Sequence, residues 1–376
     1  MSDRDLTEAL LKDAEESWPA GWPALRPVLD RCCFAISADV VMGQLGLFRR
    51  QGEFETYASI CARTKIFEEA EYVFRRMLDI LVEEEVLEQR DGGWSCRNPV
   101  PEIESATEAL VVATREHPTE GAAFQMLARA YGGLSSFIRG QVSGEEILFP
   151  WSEFSLVEEF YRTSEAYRFW SALAGRAVKR IAEERFPGKK LVVLEVGAGT
   201  GHGTINVLGA LARPEHVLER YLFTDVSKQL VKQGAAKFGA HPFMEFRPLD
   251  IGGDLEAQGF AAEGADVVVA VNVLHATDDL ARSCRAVAKL LKKGGFAVIG
   301  EVAPPRGRSY RFMELTFGLL GSFYRYDDRE LRPDGPLLQP EQWVSVFSRN
   351  DFAWAAAVPH DRMEKCDIGG VIVAQR

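Results

Sequence analysis

The stretch from Leu191 to Thr204, LVVLEVGAGTGHGT, constrains the fold of this chain more than any other. Val192, Val193, Leu194 and Val196 predict a strand buried on both faces, and Gly197, Gly199 and Gly201 follow at alternate positions ahead of a helical segment. A strand that turns this tightly into a helix brings bare backbone close to a ligand, with the unpaired N–H groups of the helix N-terminus behind it. A dinucleotide fingerprint would carry its third glycine three positions after the second, where this chain has His202. Glu195, at the end of the strand, would also repel a diphosphate. The pattern E-x-G-x-G-x-G suits a cationic, phosphate-free ligand with a ribose and an amino-acid tail, a description that S-adenosylmethionine meets.

Downstream of this turn, strands and helices alternate. Strands are expected at Leu191 to Val196, Arg220 to Thr224, Met244 to Pro248, Ala265 to Val271 and Gly295 to Glu301, which implies an α/β, Rossmann-like parallel sheet with helices on both faces. Phe352 to Val358 and Gly370 to Ala374 are candidates for a closing hairpin that a dehydrogenase-type sheet would lack. A length of 376 residues favours two domains, and 47% hydrophobic residues can fill a sizeable core. The expected division is a mostly helical lid over residues 1–186 and a nucleoside-binding core over 187–376, with the boundary near Pro187-Gly188.

Within the first part, Leu6 to Phe48 reads as helical, punctuated by Pro19 and Pro23. Two further helices and a hairpin signal at Arg90-Asp91-Gly92-Gly93-Trp94 make a winged-helix-like arrangement plausible over 23–97. DNA binding is disfavoured, because the would-be recognition helix carries Glu68, Glu69, Glu71 and Asp79 and the chain has a net charge of -11. After Pro99 and Pro101, the stripe Phe124, Leu127, Tyr131, Leu134 and Ile138 predicts a packed helix face. Gly140 to Pro150 reads as a loop, and Phe154 to Glu184 as an aromatic-rich helical region. The cysteines Cys32, Cys33, Cys61, Cys96, Cys284 and Cys366 show no metal-ligand spacing and are expected to be reduced thiols of a cytoplasmic protein. Neither a signal peptide nor a membrane span is expected.

In such sheets ligands sit at the carboxyl ends of the strands. Glu195 ends the first strand, Asp225 the second, where a carboxylate can accept both ribose hydroxyls, and Asp250 follows the third, within reach of an adenine amino group. Asn272 ends the fourth. Ala198 in the turn, with Val226, Ile251 and Val273 each following a polar strand end, completes the expected cofactor-binding set. The fourth strand also delivers His275 and the fifth Glu301, and neighbouring strand ends can pair an imidazole with a carboxylate. Such a pair fixes the ring tautomer and stabilises the imidazolium once a proton is taken, which is base chemistry. His117, His202, His216, His241 and His360 have no equally placed partner.

The runs LEVGAGTGHGT, YLFTDVS, LDI with AQGF, NVLHAT and LLKKGG before a strand ending in Glu closely resemble the methyltransferase domains embedded in polyketide synthases. The resemblance covers roughly Glu145 to Arg376, since LFP at Leu148 to Pro150 and Tyr161 are similar to the family's lid region. It implies a class I methyltransferase fold, His275 as catalytic base and Glu301 orienting it. It also implies carbon methylation of a substrate held as a thioester on the phosphopantetheine arm of an acyl carrier protein, among neighbouring synthase domains. The chain departs from the family in Phe169-Trp170, where the lid tends to be more polar, and in Ser322-Phe323, which replaces a tryptophan-rich turn. It is expected to be either an excised internal domain or the front of a loading module acting on a malonyl-type starter. Some starter-forming relatives use a metal, but no ligand cluster surrounds His275 and none is expected here. O-methylation of a hydroxyl or enol is the nearest alternative, and a non-catalytic carrier-docking or dimerising module is an alternative of another class.

Overall fold

The computed structural model describes residues 3–97, 102–150, 155–306, 310–333, 335–359 and 368–376. Pro99, Pro101, Phe154, His360 and Cys366 lie outside the described residues. The chain forms two compact units, one of Gly21–Ser164 with Ser309–Tyr324, the other of Met1–Ala20, Glu165–Arg308 and Arg325–Arg376.

The first unit is mostly helical. Helices Trp22–Ala38, Tyr57–Thr64 and Glu71–Glu83 accompany a small antiparallel sheet of β1 (Phe54–Thr56), β2 (Leu87–Arg90) and β3 (Gly93–Cys96), in the order β1-β3-β2. The hairpin between β2 and β3 turns at Asp91 and Gly92, whose φ values of 41° and 75° match the twist of a tight hairpin. Helix Gly121–Ile138 buries Phe124, Leu127, Leu134 and Ile138, while Tyr131 donates its hydroxyl to Asp39 at 2.7 Å. Gly140 to Pro150 is not all loop: Gly144–Leu148 is a short helix with a capping box, in which Ser143 accepts from the Glu146 N–H and Glu146 accepts from the Ser143 N–H.

The second unit is built on a seven-stranded sheet: β4 (Leu191–Val196), β5 (Leu218–Asp225), β6 (Met244–Pro248), β7 (Ala265–Val271), β8 (Leu291–Glu301), β9 (Trp354–Val358) and β10 (Gly370–Gln375), in the order β6-β5-β4-β7-β8-β10-β9. Strands β4 to β8 run parallel, and β10 pairs antiparallel with both β8 and β9, so the late hairpin closes the sheet edge. Every residue of β4 is buried, Glu195 included, in keeping with a strand that is otherwise apolar throughout. The core gathers Val192, Leu194, Val268 and Ile299 from the sheet with Val287 and Trp343 from the helices Leu280–Leu290 and Pro340–Ser348.

The division at 186/187 expected from the sequence differs from these units. Helix Asp3–Glu16 and helix Glu165–Arg185 belong with the sheet. Arg180 pairs with Asp13 at 2.5 Å, and Arg176 donates to the Asp13 carbonyl at 2.9 Å. Phe169 and Trp170 are therefore packing residues of this unit: Phe169 meets Trp18 edge-on with ring centroids 5.2 Å apart, and Trp170 is fully buried. Cys32, Cys33, Cys61, Cys96 and Cys284 are free thiols. Among the described residues no helix is long and apolar enough to cross a membrane.

Candidate active site

The carboxyl ends of β4, β5, β7 and β8 assemble the site. Gly197, Gly199 and Gly201 have φ of 61°, 56° and 84°, a left-handed backbone that other residues adopt only with strain. A side chain on Gly197 would come within 2.6 Å of Val273, and one on Gly201 within 2.4 Å of Phe238. At Gly199 a Cβ would meet nothing closer than the Gly197 carbonyl at 3.9 Å, so the space over this residue is open. Ala198 is buried and donates its N–H to the Thr224 carbonyl at 2.8 Å, tying the turn to β5.

Glu195 does not present its carboxylate to that space. It is buried and accepts hydrogen bonds from Thr204 Oγ1 at 2.5 Å and Tyr221 Oη at 2.8 Å, clasping the helix His202–Ala210 and β5 from within. Gly203 is the residue that admits this clasp, since a Cβ there would stand 2.3 Å from Glu195 Oε1. It continues the alternate-glycine spacing one step further than the turn needs, which is the sequence signal for it. Burial pushes the Glu195 carboxyl up to about 7, against the hydrogen bonds from Thr204 and Tyr221 that lower it, with the charge of Asp225 adding to the rise. A carboxyl raised above its ordinary value binds protons more tightly in the folded chain. Its contribution to stability is therefore present at low pH and is lost as pH rises from about 4.5 through about 7. The loss amounts to about 3 kcal/mol. The stability of wild type relative to Glu195→Gln, followed by denaturant unfolding from pH 5 to pH 8, should fall by an amount of this order; a pH-independent difference would remove the assignment.

Asp225 lies at the end of β5, where Oδ2 accepts from the Gly199 N–H at 2.9 Å and Oδ1 from the Ser227 N–H at 2.8 Å. A carboxylate offers about four lone-pair sites, so about two remain for a ligand's hydroxyls. Next to it Val226 is 72% exposed, an apolar surface lacking a cover. Asp250 is exposed and accepts from the Gly252 N–H at 2.9 Å. Gln258 latches this loop, accepting from the Asp250 N–H at 2.8 Å and donating to its carbonyl at 2.9 Å. Ile251, a member of the expected cofactor-binding set, packs its side chain into the apolar core.

Asn272 follows β7 with φ of 60° and donates its N–H to the Gly300 carbonyl at 2.7 Å. Its side-chain oxygen is buried without a hydrogen-bond partner, the type of atom that a bound ligand completes. Val273 fills the space beneath Gly197 and so joins the glycine turn to the next residues. His275 sits in the single turn Leu274–Ala276, 6% exposed, with Nδ1 2.7 Å from Glu301 Oε2. The other oxygen of Glu301 accepts backbone N–H groups from Val273 at 3.2 Å, Leu274 at 2.8 Å and His275 at 3.4 Å. One carboxylate thus caps the turn and holds the ring. With the carboxylate as acceptor the ring N–H lies on Nδ1, and Nε2 keeps a lone pair for a proton.

His202, the other imidazole near the turn, is held neutral: burial, then the charges of Lys237 and Arg168, lower it to about 4. Tyr161 lies in the mostly helical unit, its ring stacked on Phe317 with centroids 6.5 Å apart. Arg332, which no motif marked, is fully buried and donates to the backbone carbonyl of His275 at 2.9 Å. No cluster of three or more His, Cys, Asp or Glu able to hold a metal occurs among the described residues.

A family model described as a methyltransferase domain matches residues 194–297. Polyketide synthase ThaG of Burkholderia thailandensis is 35% identical over 280 residues, 72% of this chain and 5% of that protein. Polyketide synthase PksM of Bacillus subtilis is 29% identical over 252 residues, 65% of this chain and 6% of that protein. The chain therefore spans a small fraction of the curated relatives it matches. Among solved structures, the CurJ carbon methyltransferase superposes with a TM-score of 0.88 at 27% identity, covering 99% of this chain and 98% of that one. The DszA carbon methyltransferase gives 0.85 at 27% identity, covering 98% and 93%. The methyltransferase domain of the citrinin polyketide synthase shares the fold, with a TM-score of 0.86 at 20% identity over 98% and 96% of the two chains.

Proposed function

The chain belongs to the methyltransferase domains of polyketide synthases, of the carbon-methyltransferase type, and on that premise we propose that it methylates the α-carbon of a β-ketoacyl or malonyl-type thioester carried by an acyl carrier protein, with His275 as base. The observation that carries this reading is the buried His275–Glu301 pair, set beside a glycine turn with open space above it. Three features fit S-adenosylmethionine: the unpartnered oxygen of Asn272, the bare backbone at Gly199 and the exposed face of Val226 beside Asp225. When bound, it supplies an electrophilic methyl group on a sulfonium.

In this reading Asp225 accepts the ribose hydroxyls, Asp250 the adenine amino group, and Asn272 the amino-acid portion. Glu195 acts from behind, holding helix to strand. His275 Nε2 takes the acidic α-proton, and Glu301 steadies the imidazolium that results. The electron pair released at the α-carbon forms the new carbon–carbon bond to the methyl group as the methyl–sulfur bond breaks. Alignment of the two reactants and exclusion of water supply the remaining acceleration.

Donor of the substrate is the phosphopantetheine arm of the carrier protein, in the cytoplasm and beside the other synthase domains. The similarity to stretches of much longer polyketide synthases supports this partner. Incubation with S-adenosylmethionine and carrier-bound malonyl, acetoacetyl and β-hydroxyacyl thioesters, read by intact-protein mass, tests the substrate class. The gain of one methylene is expected on the acetoacetyl or malonyl carrier and not on the β-hydroxyacyl one. Methylation confined to the β-hydroxyacyl carrier would replace this reading with O-methylation.

A further inference from the structure

His275 is held from two sides, and only one of them is Glu301. The second is Arg332, whose side chain is wholly buried in the same unit. Its guanidinium donates through Nη1 to the His275 carbonyl at 2.9 Å and through Nη2 to the carbonyls of Thr277 at 2.9 Å and Asp278 at 3.1 Å. Nε donates to Asp328 Oδ1 at 2.6 Å. Asp328 in turn accepts the Leu280 N–H at 2.9 Å through Oδ2, at the start of the helix Leu280–Leu290. The ring of Tyr326 lies 4.2 Å from the guanidinium, and its hydroxyl donates to the Arg332 carbonyl at 3.1 Å.

These contacts have a specific geometry. The segment from His275 to Asp278 leaves a single helical turn and has few repeating backbone bonds of its own; the Asp278 carbonyl also accepts the Asp327 N–H at 2.8 Å, whereas the carbonyls of His275 and Thr277 take their donors from the guanidinium. A planar fork with five N–H groups serves these carbonyls together while keeping Asp328; the compact point charge of a lysine does not match that spread of acceptors. Glu301 fixes the N–H groups entering the turn, and Arg332 fixes the carbonyls leaving it. The imidazole is thus set by a clamp on both ends of its own backbone.

We propose that Arg332 is a positioning residue for the base, acting through the backbone of His275 to hold Nε2 in line with the substrate carbon. The inference rests on the reading of His275 as base given above. A donor that touches neither cofactor nor substrate acts on turnover without acting on cofactor affinity, since the glycine turn, Asp225 and Asn272 are outside its reach of direct hydrogen bonds. Displacing a reacting group by about 1 Å can cost about 100-fold in rate.

The test compares Arg332→Lys with wild type, with His275→Ala in parallel and Asp328→Asn as a milder variant that keeps the guanidinium but removes its ionic partner. Turnover, S-adenosylmethionine affinity by calorimetry, and the ring signals of nitrogen-15-labelled histidine are read on the full chain. His275→Ala identifies the His275 ring signals by their disappearance. Arg332→Lys is expected to lower kcat by about 100-fold with KM and cofactor affinity within about twofold, and to shift or broaden the Nδ1–H signal. Asp328→Asn is expected to show the same pattern at lower amplitude, and carries the test if Arg332→Lys does not fold. Ring signals and kcat unchanged in a folded variant overturn the proposal, as does a loss of cofactor affinity equal to the loss of turnover. Retained turnover in His275→Ala would instead overturn the base reading, whatever Arg332→Lys does to the ring.

Discussion

His275→Ala is expected to lower methyl transfer by about 100- to 10,000-fold, the usual worth of a positioned general base, while S-adenosylmethionine affinity stays within about twofold. The direction follows from where the ring sits. His275 is 6% exposed and its Nδ1 is committed to Glu301 at 2.7 Å, so the ring contributes Nε2 and little else to a ligand. The glycine turn and the carboxyl end of β5, where the cofactor is proposed to bind, do not depend on that ring. Glu301→Gln should be milder but not silent. A neutral amide can still accept from Nδ1, yet it no longer compensates the imidazolium, and its amide group cannot accept in both directions at once. Single-turnover rates with saturating cofactor separate these effects from binding. Wild-type turnover in His275→Ala would end the base assignment.

Asp225→Ala should weaken S-adenosylmethionine binding by about 10- to 150-fold, with a matching loss of activity at low cofactor concentration that saturation partly restores. The carboxylate of Asp225 serves two backbone donors at once, Gly199 N–H at 2.9 Å and Ser227 N–H at 2.8 Å. Its removal leaves the middle glycine of the turn without an acceptor, beside the place where the proposed ribose hydroxyls also lose theirs. Hydrogen bonds to a charged group are worth about 1.5 to 3 kcal/mol each, which sets the expected range. Calorimetric titration measures it directly, and an unchanged dissociation constant would show that β5 does not end in the cofactor site.

The sheet was legible because its signals are local. The apolar run of β4 and the alternation of strand and helix mark the element and its neighbours, and β4, β6 and β7 begin and end where the sequence predicts. Asp225, Asn272, His275 and Glu301 were legible for a topological reason: parallel strands in this order put their last residues on one edge. What stayed hidden depends on partners far along the chain. Glu195 reads as a ligand-facing acid until Thr204 and Tyr221 close on it from a helix and an adjacent strand. Arg332 stands in an irregular segment, 57 residues from the carbonyl of His275, with no periodicity to mark it. The compact units divide the chain elsewhere than at 186/187 for the same reason, since Asp13 and Arg180 meet across 167 residues. The helix Gly144–Leu148 is a different case: its Ser143 and Glu146 capping pair was visible in the sequence, inside a stretch read as loop.

The central claim is that the methyl group ends on carbon, at the α-position, by way of His275. S-adenosylmethionine carrying a carbon-13 methyl group, reacted with acetoacetyl carrier protein and followed by nuclear magnetic resonance of the released acyl chain, reads this most directly. The account predicts a labelled methyl coupled to the α-proton, formed by wild type and lost in His275→Ala. A labelled methyl in an ether position, or a carbon-bound label formed equally well by His275→Ala, would contradict it.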